Sequence, residues 1–143
     1  MRRIMTGLAA VAMLWLTAGA ALAQEVVLYK NPQCGCCQNY ATLLSRAGLE
    51  VEVQNTENLE AVNRQLGVPT ELAGCHTMTI AGYAVSGHVP FEALSKLLQE
   101  RPAVRGIALP GMPTGAPGMG GPKEEPFTVY AFGEGGVSVY AVE

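Results

Sequence analysis

Aspartate is absent from this 143-residue chain, and all twelve of its acids are glutamate. It has only two histidines, His76 and His88, and no stripe of basic side chains, which excludes the electrostatic footprint of a nucleic-acid binder. Beyond residue 23 no stretch is long and apolar enough for a membrane span, which takes roughly 20 consecutive apolar residues. No repeat of domain size is visible. Nine basic side chains against twelve acids give a formal charge of −3. Without Arg2 and Arg3 the balance is seven against twelve, or −5. That surplus attracts cations mildly, and its plain reading is a solvated surface.

What the chain does have begins with an export signal. Arg2 and Arg3 give a positive start, Leu8 to Leu22 is almost wholly apolar, and Ala21-Leu22-Ala23 is a small-x-small cleavage site. The rival reading is an uncleaved membrane anchor. The apolar run is short for a span, and the Ala-Leu-Ala end favours cleavage. Residues 1–23 are therefore expected to be a signal peptide, with Gln24 as the new N-terminus and no membrane attachment afterwards. Residues 24–143 are expected to form one domain with its own core. Export places the cysteines where disulfides form and persist.

There are four cysteines, and three of them lie in Cys34-Gly35-Cys36-Cys37. The fourth, Cys75, directly precedes His76. Three thiols in one turn staple a fold poorly, because each bridge would close almost no loop. Crowding suits sulfurs that must reach one shared point.

The surrounding pattern alternates strand and helix. Glu25 to Lys30 reads as a buried strand, broken by Asn31-Pro32. Gln38 to Ala47 has helical spacing (Cys37, Tyr40, Ala41, Leu44) and stops at Gly48. The cysteine cluster thus sits at a strand-to-helix turn. Leu49 to Val53 alternates as a half-buried strand. Asn55 or Thr56 is placed to cap a second helix with Leu59, Val62 and Leu66 as its buried stripe, ending at Gly67. This order implies a parallel strand pair with a right-handed crossover. Thr77 to Ile80 and Tyr83 to Val85 form a hairpin about Ala81-Gly82, and Pro90 opens a third helix with Leu94, Leu97 and Leu98 inward. Tyr29, Tyr40, Tyr83 and Met78 read as core. Gly106 to Pro126, rich in proline and glycine, reads as a flexible loop. Phe127 to Phe132 and Val137 to Val142 form a second hairpin. The fold class is α/β: a thioredoxin-like βαβαββα core with an added Pro/Gly/Met loop and a C-terminal β-hairpin.

Cys34 and Cys37 make a Cys-x-x-Cys pair at a helix N-terminus, where unpaired N–H groups and the helix dipole favour thiolate. In a thioredoxin-like setting such a pair is redox-active. In that fold the segment resembling Gly67-Val68-Pro69-Thr70 holds a cis proline, so a cis bond is expected at Pro69, although Glu71 to His76 intervenes before the strand. Cys36 departs from a dithiol exchange site, where a third thiol competes. A metal site gains from it: Cys34, Cys36, Cys37 and Cys75 supply four thiolates, which select Cu(I), Zn or iron–sulfur clusters. Met112 and Met119 tilt the choice toward Cu(I), since zinc rarely takes methionine. His76 and His88 are further candidate ligands. The plain alternatives are a Cys75 disulfide with any of the other three, satisfied histidines, and ordinary methionine packing.

The runs Tyr29-Lys30-Asn31-Pro32-Gln33-Cys34-Gly35-Cys36-Cys37, Cys75-His76-Thr77, Gly82-Tyr83, Gly87-His88-Val89-Pro90, Pro110-Gly111-Met112-Pro113 and Pro117-Gly118-Met119 occur in one order. On these the chain resembles the CopG-type periplasmic copper-resistance proteins, long described as a domain of unknown function. The resemblance runs over nearly all of residues 24–143. It implies a thioredoxin-like fold, copper bound by the cysteines as Cu(I), extending to a multinuclear cluster, and interconversion of Cu(I) and Cu(II). By position the cluster falls on Cys34, Cys36, Cys37 and Cys75. Tyr40 stands where many relatives carry tryptophan, a conservative change. The expectation is a periplasmic copper protein whose partners are copper ions and other copper-handling proteins. A thiol–disulfide oxidoreductase with catalytic Cys34 and Cys37 is the alternative, and a zinc-stabilised module the third.

Overall fold

A computed structural model describes residues 24–143. The expected signal peptide lies outside the described residues. The chain runs β1 (Glu25–Lys30), α1 (Gly35–Arg46), β2 (Glu50–Asn55), α2 (Leu59–Leu66), a 3₁₀ turn (Thr70–Leu72), β3 (His76–Ile80), β4 (Tyr83–Ser86), α3 (Phe91–Glu100), β5 (Gly106–Ala108), β6 (Thr128–Gly133) and β7 (Gly136–Val142). One seven-stranded sheet has the order β2-β1-β3-β4-β5-β6-β7. β1 and β2 are parallel, β3 is antiparallel to β1, and β4 is antiparallel to β3. With α1, α2 and α3 between and after them, these four strands are the thioredoxin-like α/β core. No described helix is long and apolar enough to cross a membrane.

Alternation sorts the side chains of each strand onto two faces. Val26 and Leu28 of β1, Met78 and Ile80 of β3, Val85 of β4, Ile107 of β5 and Val129 and Ala131 of β6 share the larger core with Tyr40, Ala41 and Leu44 of α1 and Leu94 and Leu97 of α3. Each fully buried leucine there contributes about 1.5–3 kcal/mol relative to exposure. The opposite face holds a smaller cluster of Val68, Leu72, Ala84, Ala108 and Phe132, with Leu66 of α2 packed against it. His76, two residues before Met78, lies on the α1 side of β3, so the larger core ends at the cysteine turn.

Several boundaries differ from the sequence reading. The helix expected from Gln38 begins at Gly35, so Cys34 is its N-cap and Cys36 and Cys37 lie in its first turn. The second helix is capped by Asn58, whose Oδ1 accepts from the Ala61 amide at 3.0 Å, rather than by Asn55 or Thr56. Asn55 is the last residue of β2. Leu59, Val62 and Leu66 are only half-buried, and Asn63 is the buried residue of α2. Pro90 precedes the third helix instead of opening it. Pro69 is trans: no described peptide bond is cis. The intervening 3₁₀ turn carries the chain from Pro69 to β3, so Pro69 is not placed beside the cysteines by the strand that follows it.

The stretch read as loop from Gly106 begins as β5, which pairs parallel to β4 and antiparallel to β6. This strand joins the C-terminal hairpin to the core sheet. Gly106 allows it: a Cβ there would collide with the Ala84 carbonyl. The rest of the Pro/Gly segment is ordered by its own hydrogen bonds, Gly115 N–H to Gly120 O at 3.0 Å and Met119 N–H to Ala116 O at 2.9 Å. Ala116 is buried against the core. The segment expected to be flexible is a tied-down loop.

Candidate metal centre

The site forms where the C-terminal end of β1, the first turn of α1, the start of β3 and the segment after β4 meet. Lys30 and His76 are register partners across β1 and β3. From Lys30 the chain turns through Asn31-Pro32, and the Asn31 carbonyl accepts the Cys34 amide at 3.0 Å. No acidic residue occupies the first turn of α1 and no side chain caps it, so its free N–H groups and dipole face the sulfurs. Cys34 and Cys37 form a disulfide, and Cys36 and Cys75 are free. The plain alternative of a Cys75 disulfide is therefore not the bridge formed.

All four Sγ atoms lie within 4.8 Å of one another. Cys34 Sγ and Cys36 Sγ are 3.5 Å apart. A second group of four, Cys37, Cys75, His76 and His88, meets the same limit, so Cys37 and Cys75 belong to both. Six donors thus form two adjoining sets, one of sulfur alone and one of two sulfurs and two nitrogens. Thiolates prefer soft cations and imidazole accepts several transition metals.

The two imidazoles are held differently. His88 Nδ1–H donates to the Pro117 carbonyl at 2.7 Å, and a carbonyl only accepts, so Nδ1 bears the proton. Burial holds His88 below the usual imidazole range, so the ring is neutral and Nε2 is an acceptor. Cys75 Sγ lies 3.1 Å from that Nε2. Burial, followed by the neighbouring Cys36, pushes the Cys75 thiol up to about 12, so at neutral pH the S–H donates to His88. A backbone carbonyl fixing the tautomer of an imidazole is the usual support of a metal-binding histidine. His76 is fully buried. Its Nδ1 is 3.6 Å from Cys75 Sγ, and its Nε2 has no hydrogen-bond partner. Burial, then His88, pushes its pKa down to about 3, so it too is neutral. A buried ring nitrogen with no partner is what a core histidine would satisfy and a candidate ligand would leave open.

Three comparisons place these features. The family described as "Protein of unknown function, DUF411" matches residues 72–119. No curated protein matches. Among solved structures, "Copper resistance protein copG- Form 2" is 35% identical with a TM-score of 0.78, covering 85% of this chain and 98% of that one. "Copper resistance protein copG- Form 1" is 34% identical with a TM-score of 0.77 over the same shares. The chain belongs to the CopG family.

Around this CopG-family site sit residues the sequence reading passed over. Tyr40, assigned only to the core, is its floor: the ring centroid lies 4.8 Å from that of His76 and 5.5 Å from that of His88. Its hydroxyl donates to the Val89 carbonyl at 2.9 Å. Lys30 is buried, and its Nζ donates to the Asn31 and Pro32 carbonyls at 3.1 and 3.3 Å, bracing the turn that delivers Cys34. Beneath Cys75 lies a buried polar network. The Gly74 amide donates to Ser86 Oγ at 2.9 Å, the Thr77 hydroxyl donates to Asn63 Oδ1 at 2.6 Å, and Thr77 Oγ1 and Ser86 Oγ are 3.0 Å apart. An asparagine on a helix face between half-buried leucines was the available signal.

The Pro/Gly loop forms the roof. Pro117 accepts from His88, and Gly118 packs so tightly on α1 that a Cβ would lie 2.8 Å from the Tyr40 nitrogen and 3.0 Å from the Cys36 oxygen. Met119 follows on the outer side of α1, in a groove with Asn39, Thr42, Leu43 and Arg46. Met112 is 55% exposed. The two methionines are thus on the roof and its rim, while the four cysteines and two histidines are gathered beneath.

Proposed function

We propose that this is an exported, periplasmic copper protein of copper resistance, in which Cys34, Cys36, Cys37 and Cys75 hold Cu(I) as reduced thiolates. His76 and His88 offer nitrogen donors to an ion beside the sulfur group. The observation that carries this reading is the convergence of four sulfurs within 4.8 Å at one helix start, in a chain of the CopG family. Two donor sets sharing Cys37 and Cys75 suit more than one copper ion. Copper is here cargo and substrate. Met112 and Met119, soft thioethers on the loop, are suited to receive Cu(I) at the rim from other periplasmic copper-handling proteins.

Redox interconversion follows from the same thiols. Two electrons leave when Cys34 and Cys37 join: two thiols and two Cu(II) give one disulfide, two Cu(I) and two protons, and the reverse oxidises Cu(I). Titrating fully reduced protein with Cu(I) against a competing chelator tests the site. The Cys36→Ser variant is expected to bind fewer ions, and an unchanged stoichiometry would overturn the reading. Zinc rather than copper in protein recovered from the periplasm would count equally against it.

The Cys34–Cys37 disulfide favours a second reading, a thiol–disulfide oxidoreductase in which Cys34 attacks and Cys37 resolves. That activity survives replacement of Cys36 and Cys75 by serine. Absence of turnover with every disulfide substrate removes it.

A further inference from the structure

Cys36 is the residue that a dithiol exchange site does not need, and its position gives it a reaction of its own. Its free sulfur lies 3.5 Å from Cys34 Sγ, one of the two bridged sulfurs. It sits in the first turn of α1, half-exposed and unbridged, so it is open to act as the attacking sulfur. Attack on Cys37 would join neighbouring residues, whose Cα atoms are about 3.8 Å apart, below the span disulfides ordinarily bridge. Attack on Cys34 carries no such obstacle.

We infer that Cys36 is an internal exchange thiol that moves the Cys34–Cys37 bridge to Cys34–Cys36, releasing Cys37 without any outside oxidant or reductant. The Cys36–Cys34 bond forms as the Cys34–Cys37 bond breaks. The electron pair leaves on Cys37 sulfur, and the proton lost by Cys36 ends there, so electrons and atoms balance. The consequence is a change of donor set at constant oxidation level. With Cys34 bridged to Cys37, the free sulfurs are Cys36 and Cys75. With Cys34 bridged to Cys36, they are Cys37 and Cys75, and Cys37 completes the group with His76 and His88. The position of one disulfide then decides whether the free sulfur beside Cys75 is Cys36, of the all-sulfur group, or Cys37, which also belongs to the group with the histidines. Cys37 Sγ lies 3.4 Å from the Cys75 carbonyl, which is in place to accept from the freed thiol. The reaction needs no metal, so it stands or falls separately from the copper reading.

The test uses metal-free protein carrying one disulfide, held folded without oxygen. Free thiols are trapped with N-ethylmaleimide, the bridge is then reduced and alkylated with a second reagent, and fragment masses assign each cysteine. The expected result is maleimide on Cys75 and divided between Cys36 and Cys37, with Cys34 unlabelled. In Cys36→Ser, checked for its fold by circular dichroism, Cys37 is expected to be unlabelled. In Cys75→Ser, which keeps the three-cysteine turn intact, the division between Cys36 and Cys37 persists. The inference is overturned if parent protein labels Cys36 but never Cys37, if Cys37 labels equally in Cys36→Ser, or if its labelling vanishes in Cys75→Ser. Maleimide on Cys34 would overturn it as well, because the bridge would then lie elsewhere.

Discussion

Replacing His76 by leucine is expected to make the metal-free protein more stable and, on the proposed copper function, to weaken Cu(I) binding. The ring is fully buried, its Nε2 bonds to nothing, and it packs 4.8 Å from both the Tyr40 and His88 rings. Leucine has nearly the same volume and no polar atom to leave unpaired. Removing an unsatisfied buried nitrogen is worth about 1–3 kcal/mol at pH 7.5. Acid adds to this. His76 has an ordinary pKa of 6.5 when unfolded and about 3 when folded. Below pH 6.5 the unfolded chain takes a proton that the folded chain refuses. Stability in the parent therefore falls by about 1.4 kcal/mol per pH unit toward pH 3, or about 2 kcal/mol between pH 6.5 and 5. His88, also held down by burial, leaves a slope in both proteins, so the difference between them isolates His76. Urea denaturation of both metal-free proteins at pH 7.5 and pH 5, with a Cu(I) competition titration on each, measures all three effects. Parallel stability profiles over that pH range would refute the buried neutral imidazole. A variant less stable at both pH values would refute the orphaned nitrogen.

Gly118→Ala introduces a Cβ 2.8 Å from the Tyr40 nitrogen at a φ of +83°, so the roof should lift from α1 at a cost of about 1–3 kcal/mol. Hydrogen exchange would show it as faster exchange at the Ala116 and Met119 amides, and unchanged protection there would refute the contact. Ser86→Ala leaves the Gly74 amide without its acceptor under Cys75 and should cost about 1–3 kcal/mol in urea denaturation. A loss within error would show that the network does not brace the site. Gly106→Ala drives a Cβ into the Ala84 carbonyl and should separate β5 from β4, at about 1–3 kcal/mol or more. Its signature is a fall in melting temperature together with faster exchange through β6, and an unchanged melting temperature would refute the close approach.

Periodicity carried much of the fold because the core is built from it. The bounds of β1 are those of the apolar run from Glu25 to Lys30, and Tyr40, Ala41 and Leu44 are buried at their helical spacing. Three crowded cysteines and Cys75-His76 pointed to the candidate site for a similar reason: few roles need so many sulfurs together, and the fold does gather them. What escaped is what depends on backbone atoms or on pairing across distance. β5 is three residues opened by a glycine and followed by Leu109-Pro110, so it carries neither alternation nor length. The partner of His88 is the carbonyl of Pro117, an atom every residue has. Which two of four thiols bridge depends on the turn of a helix whose start lay three residues before its apolar stripe suggested.

The costs in this fold are concentrated at one place. His76 Nε2 is buried and unpaired, and His76 is held neutral by burial. Lys30 is buried with its Nζ held on two carbonyls, while the ion pair found among the described residues is the exposed Glu60–Arg64 pair on α2. Elsewhere the interior is apolar and ordinary. A core of this size could hold leucine at His76, so such costs persist only where something offsets them. An ion bound to the folded state alone adds stability by mass action, about 4 kcal/mol at a thousandfold excess over its dissociation constant. That exceeds the cost of about 1–3 kcal/mol carried by the orphaned nitrogen. The backbone contacts that fix the donors, from Pro117 to His88 and from Ser86 to Gly74, hold them in place before anything binds, so little ordering remains to be done when it does.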